Sequence, residues 1–279
     1  MTKKKHFSIV LSLLFLLFII TGCSSKSNNS AVVKSTPTLF IHGWGSSINA
    51  EHQMTNSIQN AKISNSVTQA LVDSKGKVKL VGQIPSDAKN PLVEVGFEDN
   101  KSSGDYHQNG RWLKNVIEKL QQTYHIKNVN LVGHSMGNMA IVYYLLDNYN
   151  NHKLPKVLHQ VDIAGHFNGI IGIDDKPNQI KLNSEGRPDK INKNYQDLLG
   201  LRNKYPYKQI KVLNIFGDKN NGTHSDDDVT NSSSQSLKYL LNKRALSYQE
   251  KKIVGPEGQH SRLHENKEVD QILMKFLWP

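Results

Sequence analysis

With one cysteine in 279 residues, the chain cannot form an internal disulfide, and its fold must do without one. No lysine- and arginine-rich block with interleaved aromatics occurs after residue 30, so nucleic-acid binding lacks support despite a formal charge of +11. No internal repeat is visible. No apolar run reaches the about 20 residues of a transmembrane helix. The nearest is Ile9 to Ile20, and Ser12 interrupts it. What the chain does have is a 37% hydrophobic content, enough for the core of one large α/β domain.

The apolar run follows Lys3, Lys4 and Lys5 and ends in Ile20-Thr21-Gly22-Cys23. A positive start, a short apolar stretch and small residues at its close make an export signal. The last four residues resemble the lipobox of bacterial lipoproteins, which implies a signal peptide over 1–22 and lipidation of Cys23. "SSKSNNS", Ser24 to Ser30, has no core-forming residue, so 23–35 is expected to be a lipid anchor and flexible linker. Those seven residues reach about 25 Å when extended. The expected location is the extracytoplasmic face of the membrane. The basic excess outside the signal fits attraction to an anionic envelope, but scattered solvated lysines explain it more simply.

From Thr38, "TLFIHGWGSS" reads as a strand entering a glycine loop, with a helical region carrying Met54, Ile58 and Ala61 behind it. "KVKLVGQIP" and "PLVEVGFED" are strand candidates. Residues 110–124 put Trp112, Leu113, Val116, Ile117, Leu120 and Tyr124 on one helical face. "KVLHQVDIAG" and "QIKVLNIFG" are apolar runs ending in glycine, the habit of parallel strands, and "NKEVDQILMKFLWP" is an amphipathic helix. The alternation predicts a mostly parallel sheet with helices on both faces over residues 36–279. About 166–208 is too long for an ordinary connection and is expected to be a cap insertion. Its Phe167, Ile170, Ile171 and Ile173 are candidates to line an apolar pocket.

The chemistry concentrates in "VNLVGHSMGNMAIVYYLL", residues 129–146. An apolar strand gives way to Gly-His-Ser-Met-Gly and then to apolar residues at helical spacing. That is the G-x-S-x-G nucleophile elbow, in which Gly133 and Gly137 make room for a sharp turn and Ser135 is lifted toward the helix N-terminus. A serine nucleophile needs a base, and a carboxylate to orient that base. In the order Ser, acid, His, the base is His260 in "KKIVGPEGQHSRLHEN", with His264 the second candidate. His134 occupies the variable position of the elbow, and His42 is expected to support the first loop.

With "FIHGWGSS", "GHSMG", "SDDDV" and "GQHSRLHEN" in this order, the sequence resembles the α/β-hydrolase family of esterases and lipases. More narrowly, it is similar to the hydrolases that some Gram-positive bacteria anchor on their surface. The resemblance implies the α/β-hydrolase fold and an oxyanion hole formed by the backbone N–H groups of Trp44 and Met136. "HGWG" departs from the "HGGG" of some lipases, a difference that bears on acyl-chain preference. For the acid, Asp218 and Asp226 both follow the strand "VLNIFG". Several lipases carry an Asp followed by Val three residues on and then serines, and Asp226 with Val229, Ser232 and Ser233 repeats this. Asp218 is then a turn residue, and Asp227 and Asp228 are solvated neighbours.

The resemblance implies cleavage of small-molecule or lipid esters through an acyl-enzyme, with no metal and no cofactor. An acyltransferase with the same triad, or a surface binding protein with a vestigial site, are the alternatives. "GDKNNGTHSDDD" is rich in oxygen ligands, but its glycine is one place early for an EF-hand loop, and a solvated turn is the simpler reading. Asp174, Asp175, Lys176, Lys181, Glu185, Arg187, Asp189 and Lys190 break up the apolar surface that a lipid-seeking lid needs.

Overall fold

The computed structural model describes residues 32–101 and 104–279. The expected signal peptide, Cys23 and most of the linker lie outside the described residues. Eight strands form one sheet: β1 (Thr38–Ile41), β2 (Val67–Val72), β3 (Val78–Val81), β4 (Leu92–Phe97), β5 (Asn128–His134), β6 (Lys156–Ile163), β7 (Lys211–Asp218) and β8 (Ser247–Val254). Their order is β3-β2-β4-β1-β5-β6-β7-β8. Only the β2–β3 pair is antiparallel. The helices are α1 (His52–Asn60), α2 (Tyr106–Tyr124), α3 (Met136–Asp147), α4 (Lys193–Leu198), α5 (Leu201–Lys204), α6 (Asn231–Gln235), α7 (Leu237–Leu241) and α8 (Lys267–Leu277). This is the α/β-hydrolase fold.

Strand alternation divides the core in two. Leu39 and Ile41 of β1, with Leu131 of β5, face a large cluster shared with α2, α3, α4, α5 and α7. Phe40 and Val132 point the other way, against Met54 and Ile58 of α1 and Val269, Leu273 and Leu277 of α8. Each strand thus buries both faces, which is why the central runs read as continuously apolar. Helix α3 is apolar all round because α2 and the sheet enclose it, and every residue from Met136 to Leu146 is buried.

The sheet begins at its middle with β1, grows to one side, then crosses through α2 to β5 and grows to the other, so the loops after β1 and β5 diverge from adjacent strands. Such a switch point opens a crevice at the C-terminal ends of the strands. At the opposite edge, where strands begin, the first described residues run beneath the sheet. There Val33 donates its N–H to the Tyr124 carbonyl at the end of α2, 3.1 Å away.

The segment between β6 and β7 divides in function. Ile170 and Ile173 reach a pocket at the strand ends, whereas Phe167 is in the core and Ile171 is not among the lining residues. Farther along, Tyr195, Leu198, Leu201 and Tyr205 turn inward and join the main core beside α3.

Candidate active site

Ser135 stands between β5 and α3 at φ 51° and ψ −117°, a backbone that few residues other than glycine adopt. The close packing around it explains the flanking glycines. A methyl group on Gly133 would lie 2.7 Å from the Asn138 N–H nitrogen, and one on Gly137 would lie 2.1 Å from the Ile41 carbonyl oxygen. Glycine at 137 therefore lets the first turn of α3 press against the end of β1, where the Gly43–Trp44 loop begins. The elbow is tied down on its other side: Ser135 N–H donates to the Ile163 carbonyl at 2.9 Å, and the Asn138 side chain donates to the Ser135 and Ile163 carbonyls.

The β1 loop is held by its own bonds. His42, fully buried, donates from Nδ1 to the Gly43 carbonyl at 2.8 Å and accepts the Phe97 N–H at Nε2 at 3.1 Å, which fixes a neutral tautomer. Burial pushes its pKa down, in the same direction. Gly45 N–H bonds the Asn100 carbonyl, Asn100 returns a bond to Ser46, and the Trp44 indole N–H reaches Lys101 O. Trp44 and Met136 both line the pocket that holds Ser135. Met136 is the first residue of α3, where backbone N–H groups have no carbonyl one turn back to bond. An anion at this point meets free donors and the positive end of the helix dipole.

His260 and Asp226 come together from two loops. His260 Nδ1 lies 2.9 Å from Asp226 Oδ2, and its backbone N–H donates to the Asp226 carbonyl at 2.8 Å. Asp226 Oδ1 accepts the backbone N–H groups of Val229 at 2.7 Å and Asp228 at 3.0 Å, so both oxygens of this buried carboxylate are satisfied. Burial alone would lower the His260 pKa, but the hydrogen bond to Asp226 and the charges of Asp226, Asp228 and Asp227 outweigh it and raise the pKa. With Nδ1 engaged, Nε2 remains for a proton from the pocket. The two loops can approach because they meet at glycines: a methyl on Gly217 would sit 1.9 Å from the Gly258 carbonyl oxygen and 3.0 Å from Asp226 Cβ.

Asp218 is placed differently. Its carboxylate accepts from Asn220 N–H at 2.9 Å and Asn231 Nδ2 at 2.9 Å, with Lys252 Nζ at 3.3 Å. Although burial opposes them, these bonds lower its pKa, and it stabilises the turn rather than the histidine. His264 also lines the pocket but has no bond to a carboxylate. Its ring stands edge-on to His134, with centroids 4.5 Å apart, and burial lowers its pKa.

Across residues 25–279 the sequence matches the family described as alpha/beta hydrolase of unknown function (DUF915). The chain belongs to this family. Among solved structures this chain is similar to the lin2722 gene product of Listeria innocua, at 26% identity and a TM-score of 0.78, over 88% of this chain and 94% of that one. It is also similar to a Lactobacillus plantarum protein provisionally described as a cell surface hydrolase, at 21% identity and a TM-score of 0.69, over 88% and 92% of the two chains. No curated protein matches the sequence.

The pocket of this family member has a volume of about 450 Å3, within the range of small-molecule sites. Sequence reasoning missed four of its ionisable lining residues. His134 donates from Nε2 to the His260 carbonyl at 3.1 Å, clamping the backbone of the base, and its burial, with His260 and His264 nearby, holds it neutral. His166 and Tyr106 lie opposite, their rings 5.8 Å apart. Burial drives His166 down to about 4 and Tyr106 up to about 12. Asp228 is the fourth. His166 carried a readable signal, since a polar residue just past the glycine that ends a parallel strand belongs at the crevice. Among the described residues, no group of three or more His, Cys, Asp or Glu is arranged to hold a metal ion.

Proposed function

We propose that this hydrolase cleaves carboxylic esters through an acyl-enzyme on Ser135, and that it does so outside the cell, tethered through Cys23. The observation that carries the reading is the His260 ring, locked to a buried carboxylate through Nδ1 while it borders the pocket of a strained serine. In this mechanism Nε2 of His260 takes the proton of Ser135 as Oγ bonds to the ester carbonyl carbon. The charge that forms on the carbonyl oxygen is met by the N–H groups of Trp44 and Met136. Collapse breaks the bond to the alcohol, which leaves with the proton from His260. Water then adds to the acyl group with His260 again as base, releasing the carboxylic acid and restoring Ser135.

A fluorophosphonate probe tests this on the purified protein. Labelling is expected in the wild type and not in Ser135→Ala. No labelling of a folded wild-type protein would end the reading, as would equal labelling of the two.

A further inference from the structure

The three aspartates after Ser225 are held in three ways. Asp226 is buried on His260. Asp227 pairs with Lys219 at 2.7 Å. Asp228 is gripped only by its main chain: its N–H donates to Asp226, and its carbonyl accepts the Ile171 N–H at 2.8 Å. That leaves the Asp228 carboxylate 59% exposed on the pocket lining, with Oδ2 4.0 Å from His260 Nε2. Among the described residues no lysine or arginine pairs with it. The other titratable groups of the lining, Tyr106, His134, His166 and His264, are held neutral by burial near pH 7. Apart from His260 itself, Asp228 is the one formally charged group among the described lining residues, and the nearest cation at the mouth is Lys101, whose Nζ stands 5.7 Å from the ring centroid of Trp44.

Resting on the ester-hydrolase reading of this same site, we propose that Asp228 selects substrates by charge, favouring esters that carry a cationic group such as an ammonium near the scissile bond and rejecting anionic ones. Although this carboxylate is partly solvated, a substrate charge a few ångströms from it lies well inside the screening length of about 8 Å at physiological salt. The same carboxylate also steadies the imidazolium that forms on His260, an effect common to every substrate. The ratio between substrates therefore isolates selection from that shared contribution.

Para-nitrophenyl esters of one acyl length, ending in trimethylammonium, tert-butyl or carboxylate, measure the ratio on the full chain. We expect kcat/KM to fall in that order, with the cationic ester favoured over the anionic one by about tenfold or more. Asp228→Asn should bring the ratio toward unity and Asp228→Lys should invert it. Asp227→Asn makes the same change in net charge one residue away and should preserve it. Wild-type turnover without charge preference overturns the proposal, as does a preference that survives Asp228→Asn or is lost equally in Asp227→Asn. Fluorophosphonate labelling in parallel separates the two ideas: labelled Ser135 with no charge preference rejects selection alone, whereas no labelling and no turnover rejects both.

Discussion

The backbone conformation of Ser135 costs about 1–3 kcal/mol, a strain kept only because Gly133, Gly137 and Asn138 leave the turn no alternative. Its partners carry the sharper tests. Asp226→Asn should lower turnover by roughly 10⁴ with the fold intact, as loss of the orienting carboxylate does in a comparable triad. Asp218→Asn should retain much of the activity, and assays of both on one ester, with thermal melts as control, decide between them. The raised pKa of His260 fixes a pH dependence: a base works unprotonated, so kcat/KM should rise with pH to a midpoint above 6.5. The linked stability runs the other way. Folding raises this pKa, so the stabilisation is complete below the unfolded value and fades as pH climbs through the folded one. Melts of wild type and Asp226→Asn should converge with rising pH. Ser135 was legible because its signal is local, a glycine pair between a strand and a helix. His260 and Asp226 needed chain order and a lipase-like pattern as well. Asp228 reads in the sequence as a solvated neighbour, because its distance from Nε2 depends on a loop-to-loop contact that sequence spacing does not encode.

At the scale of elements, the pairing of acid and base depends on two turns meeting at Gly217 and Gly258. Gly217→Ala forces a methyl into the Gly258 carbonyl, and overpacking of this kind costs about 1–3 kcal/mol. A lower melting temperature and a larger loss of activity are expected, whereas Gly104→Ala, where a methyl meets nothing within 4 Å, should change neither. Elements with strong apolar patterns, such as β1, β4 to β7, α2 and α8, could be read directly. Strand β2 could not, because its buried face is Thr68, Ala70 and Val72, two of them small or polar, and its other face is only half-covered. Helices α6 and α7 escaped for a related reason: α6 is Asn-Ser-Ser-Ser-Gln, helical through the Thr230 cap and buried side-chain bonds rather than propensity. The long connection after β6 reads as a cap throughout, yet Tyr195 and Tyr205 of its second half are core.

The whole molecule bears on which substrates of the proposed reaction can reach the pocket. Trp44 and Ile173, 56% and 78% exposed, stand at its mouth, but exposed Asp174 and Lys176 follow Ile173 and break the apolar surface, whereas Asp175, expected to do the same, is buried and accepts a bond from Thr230. Rate should therefore rise smoothly as an ester passes from monomers into micelles, and a steep jump there would contradict this. Cys23→Ala should release the protein from membranes or block its maturation, and unchanged retention would remove the anchor from the proposal. The bond from Val33 to Tyr124 then acquires a geometric meaning. It holds the start of the folded domain under the edge where strands begin, and the pocket opens at the edge where they end. If a lipid on Cys23 fixes the near side, the pocket lies at the far ends of the strands, with the length of the strands between it and the bilayer. The pocket would then be turned toward the medium, its back to the lipids that hold the chain.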